Sequence, residues 1–149
     1  MKVVVQMFIG EYRHNLDSKN RIIIPVKFRD GLGETFIVTK GLDGCLAVYT
    51  EDKWMSMLNS LEKIPSTKRE ARLYMRALTS KAQECSLDNQ GRIQLPPFLV
   101  QTAELNKNCV VIGAGDHVEI WPQETWDAYD EEASESFEAV AEALTEYLQ

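Results

Sequence analysis

Cysteine is scarce in this sequence of 149 residues: Cys45, Cys85 and Cys109 are the only three. Their odd number and wide spacing argue against a disulfide framework and fit a reducing cytosol. There is no C-x-x-C, and His14 and His117 stand far apart without a second ligand at metal spacing, so no zinc site is expected. No run approaches the ~18 consecutive apolar residues of a membrane-spanning helix. Residues 1–6 are too short for a signal-peptide core, and no small-residue cleavage site follows them; they read as an addition to the repeat pattern described below. The short motifs of enzymes are missing too: no G-x-S-x-G, no P-loop, no G-x-G-x-x-G and no H-E-x-x-H. These absences set aside membrane proteins, disulfide-bonded secreted domains and the commonest enzyme classes. They leave no cofactor, no metal and no small-molecule substrate to expect.

Hydrophobic residues make up 44% of the chain and charged residues 26%, a globular composition sized for one domain or for two small units sharing a core. The net charge of −7 is unevenly spread. Residues 1–80 carry 13 Lys/Arg against 9 Asp/Glu, whereas residues 81–149 carry 3 against 14. The whole chain is acidic, yet its first half can present a basic face, so a phosphate-bearing partner stays open.

An internal repeat organises the chain. Leu16-Asp17-Ser18-Lys19-Asn20-Arg21-Ile22-Ile23-Ile24-Pro25 matches Leu87-Asp88-Asn89-Gln90-Gly91-Arg92-Ile93-Gln94-Leu95-Pro96, 71 positions later. Residues 41–54 match 113–126 at an offset of 72, pairing Leu46 with Val118, Val48 with Ile120, Tyr49 with Trp121 and Trp54 with Trp126. Each unit predicts a strand (11–16 and 84–87), a turn at Asp-x-x-x-Arg and a short β-branched strand (21–24 and 92–95). Asn20 and Gly91 hold equivalent turn positions, and both residue types tolerate positive φ. Pro25 and Pro96 then stop pairing and open a short helix. A hairpin follows in each copy, from 36–39 to 45–49 and from 109–112 to 117–121. Residues 51–63 predict a helix with Trp54, Leu58 and Leu61 on one face. After Pro65, Thr67 with Glu70 predicts a capping box for a helix to about 79, striped with Ala71, Tyr74, Met75 and Leu78. From Trp126 to Leu148, apolar steps of three and four mark one amphipathic helix or two, acidic on the other side. The expected organisation is unit 1 at 11–53, a helical connector at 54–81, unit 2 at 82–125 and a C-terminal helix at 126–149. A unit of this size has too little core to stand alone, and two copies can solve this by packing or interleaving their strands; the expected fold class is α+β, with a β-rich core of two pseudo-symmetric units.

The tandem Asp17…Arg21 and Asp88…Arg92 motifs, with the match running from Met7-Phe8-Ile9-Gly10-Glu11-Tyr12 onward, make the chain resemble the MraZ family of bacterial transcriptional regulators. The resemblance implies two SpoVT-AbrB-type swapped-hairpin units. It also implies a ring-shaped homo-oligomer that binds repeated short boxes of double-stranded DNA in the promoter of a cell-division and cell-wall operon. A cytoplasmic, nucleoid-associated location follows from the same resemblance.

The residues themselves leave two readings of the turn. In one, the aspartate caps the turn or pairs with the arginine and fixes the hairpin. In the other, the pair aims a guanidinium at phosphate or a guanine edge. The resemblance moves the first copy toward DNA. Arg13, Lys19, Arg21, Lys27 and Arg29 cluster there, with His14, Asn15, Asp17 and Asn20 among them. The DNA-contacting set expected is Arg13, His14, Asn15, Asp17, Lys19, Asn20, Arg21 and Lys27. In the second copy Glu84, Ser86, Asn89, Gln90 and Phe98 surround Arg92, so Asp88 and Arg92 are expected to serve packing or a secondary DNA contact. Arg69, Arg72 and Arg76 form a basic stripe suited to solvent or to a neighbour's acidic helix. Glu51, Asp52 and Glu124 read as helix N-terminal charges rather than an acid/base pair. Two rival readings are an antitoxin-like DNA-binding module and a ring-forming protein-interaction scaffold.

Overall fold

The structure, a computed structural model, describes residues 7–148. The additional segment 1–6 lies outside the described residues. The first repeat supplies β1 (Phe8–Asn15), β2 (Arg21–Ile23), α1 (Val26–Leu32), β3 (Thr35–Lys40) and β4 (Leu46–Thr50). Two helices connect the repeats, α2 (Glu51–Glu62) and α3 (Arg69–Ser80). The second repeat supplies β5 (Gln83–Ser86), β6 (Arg92–Gln94), α4 (Pro97–Thr102), β7 (Asn108–Gly115) and β8 (Val118–Pro122). The chain ends in α5 (Gln123–Glu135) and α6 (Phe137–Ala143). Pro25 and Pro96 each sit just ahead of a helix, where a missing N–H and a fixed φ cost nothing.

The two repeats exchange strands. A six-stranded antiparallel sheet runs β1-β7-β8-β4-β3-β5, so the first strand of each repeat pairs with the hairpin of the other. β2 and β6 form a separate two-stranded ribbon. The registers reveal a pseudo-twofold axis. In β4·β8, Leu46 faces Ile120 and Val48 faces Val118, with Ala47 opposite Glu119 at the centre. In the ribbon, Ile22 faces Ile93 at the centre, while Arg21 faces Gln94 and Ile23 faces Arg92. These are the pairings that exchanging the two repeats would regenerate.

One core forms from both copies. Phe8, Ile22, Ile24, Phe28, Phe36, Val38, Leu46 and Val48 meet Ile93, Leu95, Leu99, Val118 and Ile120, all essentially inaccessible. Separating the halves would return these shared side chains to water, at ~1.5–3 kcal/mol for each large one. The outer face of the sheet is covered by aromatic contacts at equivalent positions. Tyr49 meets Trp54 of α2 at 6.2 Å between ring centroids, and Trp121 meets Trp126 of α5 at 5.3 Å.

The capping box does not form. α3 starts one residue later than Thr67 requires: Lys68 is the N-cap, without a side-chain cap bond. A turn through Pro65–Lys68, closed by Lys68 N donating to Pro65 O at 3.0 Å, takes up Thr67 instead. The C-terminal stripe resolves into two helices, with Ser136 both ending α5 and beginning α6.

Candidate nucleic-acid interface

Both Asp-x-x-x-Arg turns fold by the same hydrogen bonds. Asp17 Oδ1 accepts from the backbone N–H of Lys19 at 2.9 Å and of Arg21 at 2.8 Å, and Oδ2 accepts from Arg21 Nε at 2.7 Å. Asp88 repeats this with Gln90 N and Arg92 N, both at 2.9 Å, and Arg92 Nε at 2.8 Å. The fourth turn residue is left-handed in both, Asn20 at φ 60° and Gly91 at φ 75°. The backbone amide of the arginine, then its guanidinium, hold each aspartate carboxyl below its ordinary range. The structural and functional readings are therefore compatible in one geometry. The carboxylate grips Nε, and among the described residues the Nη groups of Arg21 and Arg92 have no acceptor, so the outer fork of each guanidinium is open.

The β2·β6 register places both arginines on one surface. Ile22 and Ile93 point into the core at 0% exposure, so the alternating residues Arg21, Ile23, Arg92 and Gln94 share the opposite, solvent-facing side. The arginine side chains remain 29% and 22% exposed, so both are reachable. Gln94 Nε2 donates to the Lys19 carbonyl at 3.1 Å and ties the two turns together. Gln94 and Ile23 were not singled out from the sequence. The signal was present in the repeat, where the residue two beyond each motif arginine shares its strand face, but only the antiparallel pairing brings the two faces together.

The remaining expected residues divide. Lys19 and Lys27 are exposed and form no ion pair among the described residues, and Asn15 is exposed at the end of β1. Asn20 supplies the turn conformation. His14 is half-buried on β1, and that burial, with the nearby Arg29 charge, lowers its pKa and favours the neutral imidazole. Arg13 is drawn elsewhere. It points to the other face of β1 and pairs with Asp127 of α5 at 2.7 Å and with Glu11 at 3.2 Å, while Trp126 Nε1 donates to Glu11. Arg13 thus secures the C-terminal helix to the sheet and is not brought to the ribbon.

The other titratable groups build structure. His117 sits between Asp116 at 2.8 Å and Glu119 at 2.9 Å, with its ring 5.3 Å from Tyr49. Glu119 also accepts from Trp121 Nε1, and Lys53 of α2 pairs with Asp116 at 2.8 Å. Glu119 and then Asp116 raise the His117 pKa. The cysteines are free and buried, and burial pushes Cys85 and Cys109 up to about 11, which makes them packing groups rather than nucleophiles. Among the described residues no cluster of His, Cys, Asp and Glu is arranged to hold a metal ion.

A family model described as "MraZ protein, putative antitoxin-like" matches the chain twice, over residues 7–77 and 78–147. Curated relatives named "Transcriptional regulator MraZ" align along nearly their whole length. The Desulforamulus reducens protein is 49% identical over 142 residues, covering 95% of this chain and 100% of the relative. Those of Natranaerobius thermophilus and Ligilactobacillus salivarius are 48% and 46% identical over 141 residues, covering 95% of this chain and 99% of each relative. The boundary between the two matches falls within α3, in the last turn of the connector ahead of β5; the chain belongs to the MraZ family.

Proposed function

We propose that this protein is a transcriptional regulator that binds specific double-stranded DNA through the β2·β6 ribbon. The observation that carries the reading is the pair of Asp–Arg clasps on one exposed face, each with an open guanidinium fork. Such a fork matches a phosphate or the O6/N7 edge of guanine. Lys19 beside the first clasp and the exposed Lys27 of α1 add charge for phosphates, which position a protein on DNA, while the arginines and Gln94 read base edges. The names carried by the relatives support regulation of transcription. The proposed target is a set of repeated boxes in the promoter of the protein's own cell-division and cell-wall operon, and the proposed setting is the nucleoid.

A homo-oligomer, arranged as a ring, belongs to the same reading. α5 and α6 contain no buried residue, and Phe137, Val140, Leu144, Tyr147 and Leu148 are 45–74% exposed. An apolar depression of about 350 Å³ between α2 and α3, lined by Leu61, Ile64, Ala71 and Tyr74, is also uncovered. That much apolar surface is unusual on a monomer. Several subunits engaging adjacent boxes raise the effective concentration of weak single contacts. The C-terminal segment is helical and anchored by Trp126 and Tyr129 on Trp121, which disfavours an antitoxin with an unfolded toxin-binding tail. The test is a gel shift with DNA from upstream of the protein's own coding sequence, beside a scrambled duplex. A shift of the first at concentrations that leave the second free is expected; equal behaviour of the two overturns sequence-specific binding. Light scattering that gives a mass of about 17 kDa, the single chain, overturns the oligomer.

A further inference from the structure

The second turn has lost the lysine of the first: Gln90 stands where Lys19 does. The structure replaces that charge from the other repeat. Arg29 of α1 donates through Nε to the Ile24 carbonyl at 2.8 Å, and Ile24 N–H in turn donates to the Gly91 carbonyl at 2.9 Å. Its guanidinium lies over Gly91, so close that a Cβ there would collide with it. Gly91 therefore leaves room for Arg29 as well as adopting φ 75°. The exchange is not reciprocal. Across the pseudo-axis Leu95 N–H donates to the Asn20 carbonyl at 2.8 Å, but the repeat equivalent of Arg29 is the uncharged Val100 and the turn residue keeps a side chain. Each turn thus carries a second cation beside its clasped arginine: Lys19 within the first turn, and the donated Arg29 over Gly91 of the second. Asp30 and Glu34 line the same open depression as Arg29, of about 450 Å³, yet neither forms an ion pair with it.

We propose that Arg29, acting across the pseudo-twofold axis, is a phosphate ligand of the second turn, so that one subunit grips the DNA backbone at two quasi-equivalent points. This rests on the DNA-binding reading above. A phosphate contact carries charge but no base information, so its removal has a distinct signature. The experiment titrates the full chain against the upstream duplex and a scrambled duplex from low to moderate salt, with thermal melting of every variant. Arg29→Met is expected to flatten the log–log salt dependence by about one per engaged subunit. It should weaken both duplexes by the same factor, leaving their ratio unchanged. Arg29→Lys keeps the charge and should keep the slope. Gly91→Asn installs the first turn's own residue, which tolerates the backbone but pushes the guanidinium aside, and should flatten the slope without removing a charge. An unchanged slope in Arg29→Met, or a slope lost equally in Arg29→Lys, overturns the phosphate role. An unchanged slope in Gly91→Asn overturns the placement over the turn. Failure of the unmutated protein to bind either duplex overturns the DNA reading itself, and this inference with it; binding that ignores Arg29 overturns this inference alone.

Discussion

The two Asp-x-x-x-Arg turns make the same hydrogen bonds to within 0.1 Å and differ in almost everything around them. The first has Lys19 and Asn20 within the turn itself. The second has Gln90, Gly91 and an arginine borrowed from the first repeat. The aspartate and a residue that accepts positive φ are what the two turns share, because a single carboxylate satisfies two backbone N–H groups and the arginine at once. Neighbouring residues are then free to diverge and to set the strength of binding at each turn. A duplicated fold can keep one geometry while adjusting each copy's electrostatics.

The largest effect tests whether the copies are equal where they meet. Ile22 and Ile93 face each other on the pseudo-axis, both at 0% exposure. Ile22→Ala and Ile93→Ala should each cost about 2–5 kcal/mol by urea unfolding, and by similar amounts. A clear inequality would show that the core has a dominant half. Next comes function. Arg21→Ala should weaken binding to the upstream duplex by about a hundredfold and Arg92→Ala by about tenfold, the range for losing one guanidinium contact, with melting little changed in both. Full binding by Arg92→Ala would confine the interface to the first turn.

A smaller difference lies at the helices leaving each hairpin. Thr50 Oγ1 accepts from Lys53 N–H and caps α2, whereas its repeat equivalent Pro122 offers α5 no side-chain cap. Thr50→Ala should cost about 1 kcal/mol in a thermal or urea melt, while Pro122→Ala should show no such loss of a cap. The smallest effect is the pH dependence of His117, whose repeat equivalent is the buried Cys45. Its pKa is raised in the fold, so its contribution is complete below the unfolded value near 6.5 and disappears as pH rises through the folded value. Asp116, whose pKa is lowered by Lys53 and then by His117, adds a contribution that is lost at strongly acidic pH. The melting difference between the unmutated protein and His117→Gln should therefore be greatest near pH 5 and fade toward alkaline pH. A difference that is constant with pH would assign His117 to packing alone.

Much of this architecture was legible because it is encoded locally. The prolines, the β-branched runs and the Asn20/Gly91 turn positions each act within a few residues, and every strand they marked is present. The repeat pattern required the two units to pack or interleave, but it did not say which strands would pair. β1 could in principle have paired with its own hairpin, and only the shared core decides otherwise. The same limit explains Arg13. It stands a few residues before the basic turn in sequence, but its partner Asp127 is 114 positions away. Ile23, Gln94 and the contact of Arg29 with Gly91 likewise exist only after the strands exchange. Thr67 failed for a local reason: Pro65 imposed a turn that displaced the start of α3 by one residue.

The exchange of strands also governs the order of events during synthesis. Phe8 pairs with Gly115, so β1 leaves the ribosome long before its partner strand exists. At ~5–20 residues per second, the wait is roughly 5–20 s. Throughout that interval β1 and the β3–β4 hairpin present unpaired edges and uncovered Phe8, Phe28 and Phe36, the kind of surface that chaperones bind. Nascent chains halted anywhere before β7 should be retained by such factors, and release should coincide with emergence of the second hairpin.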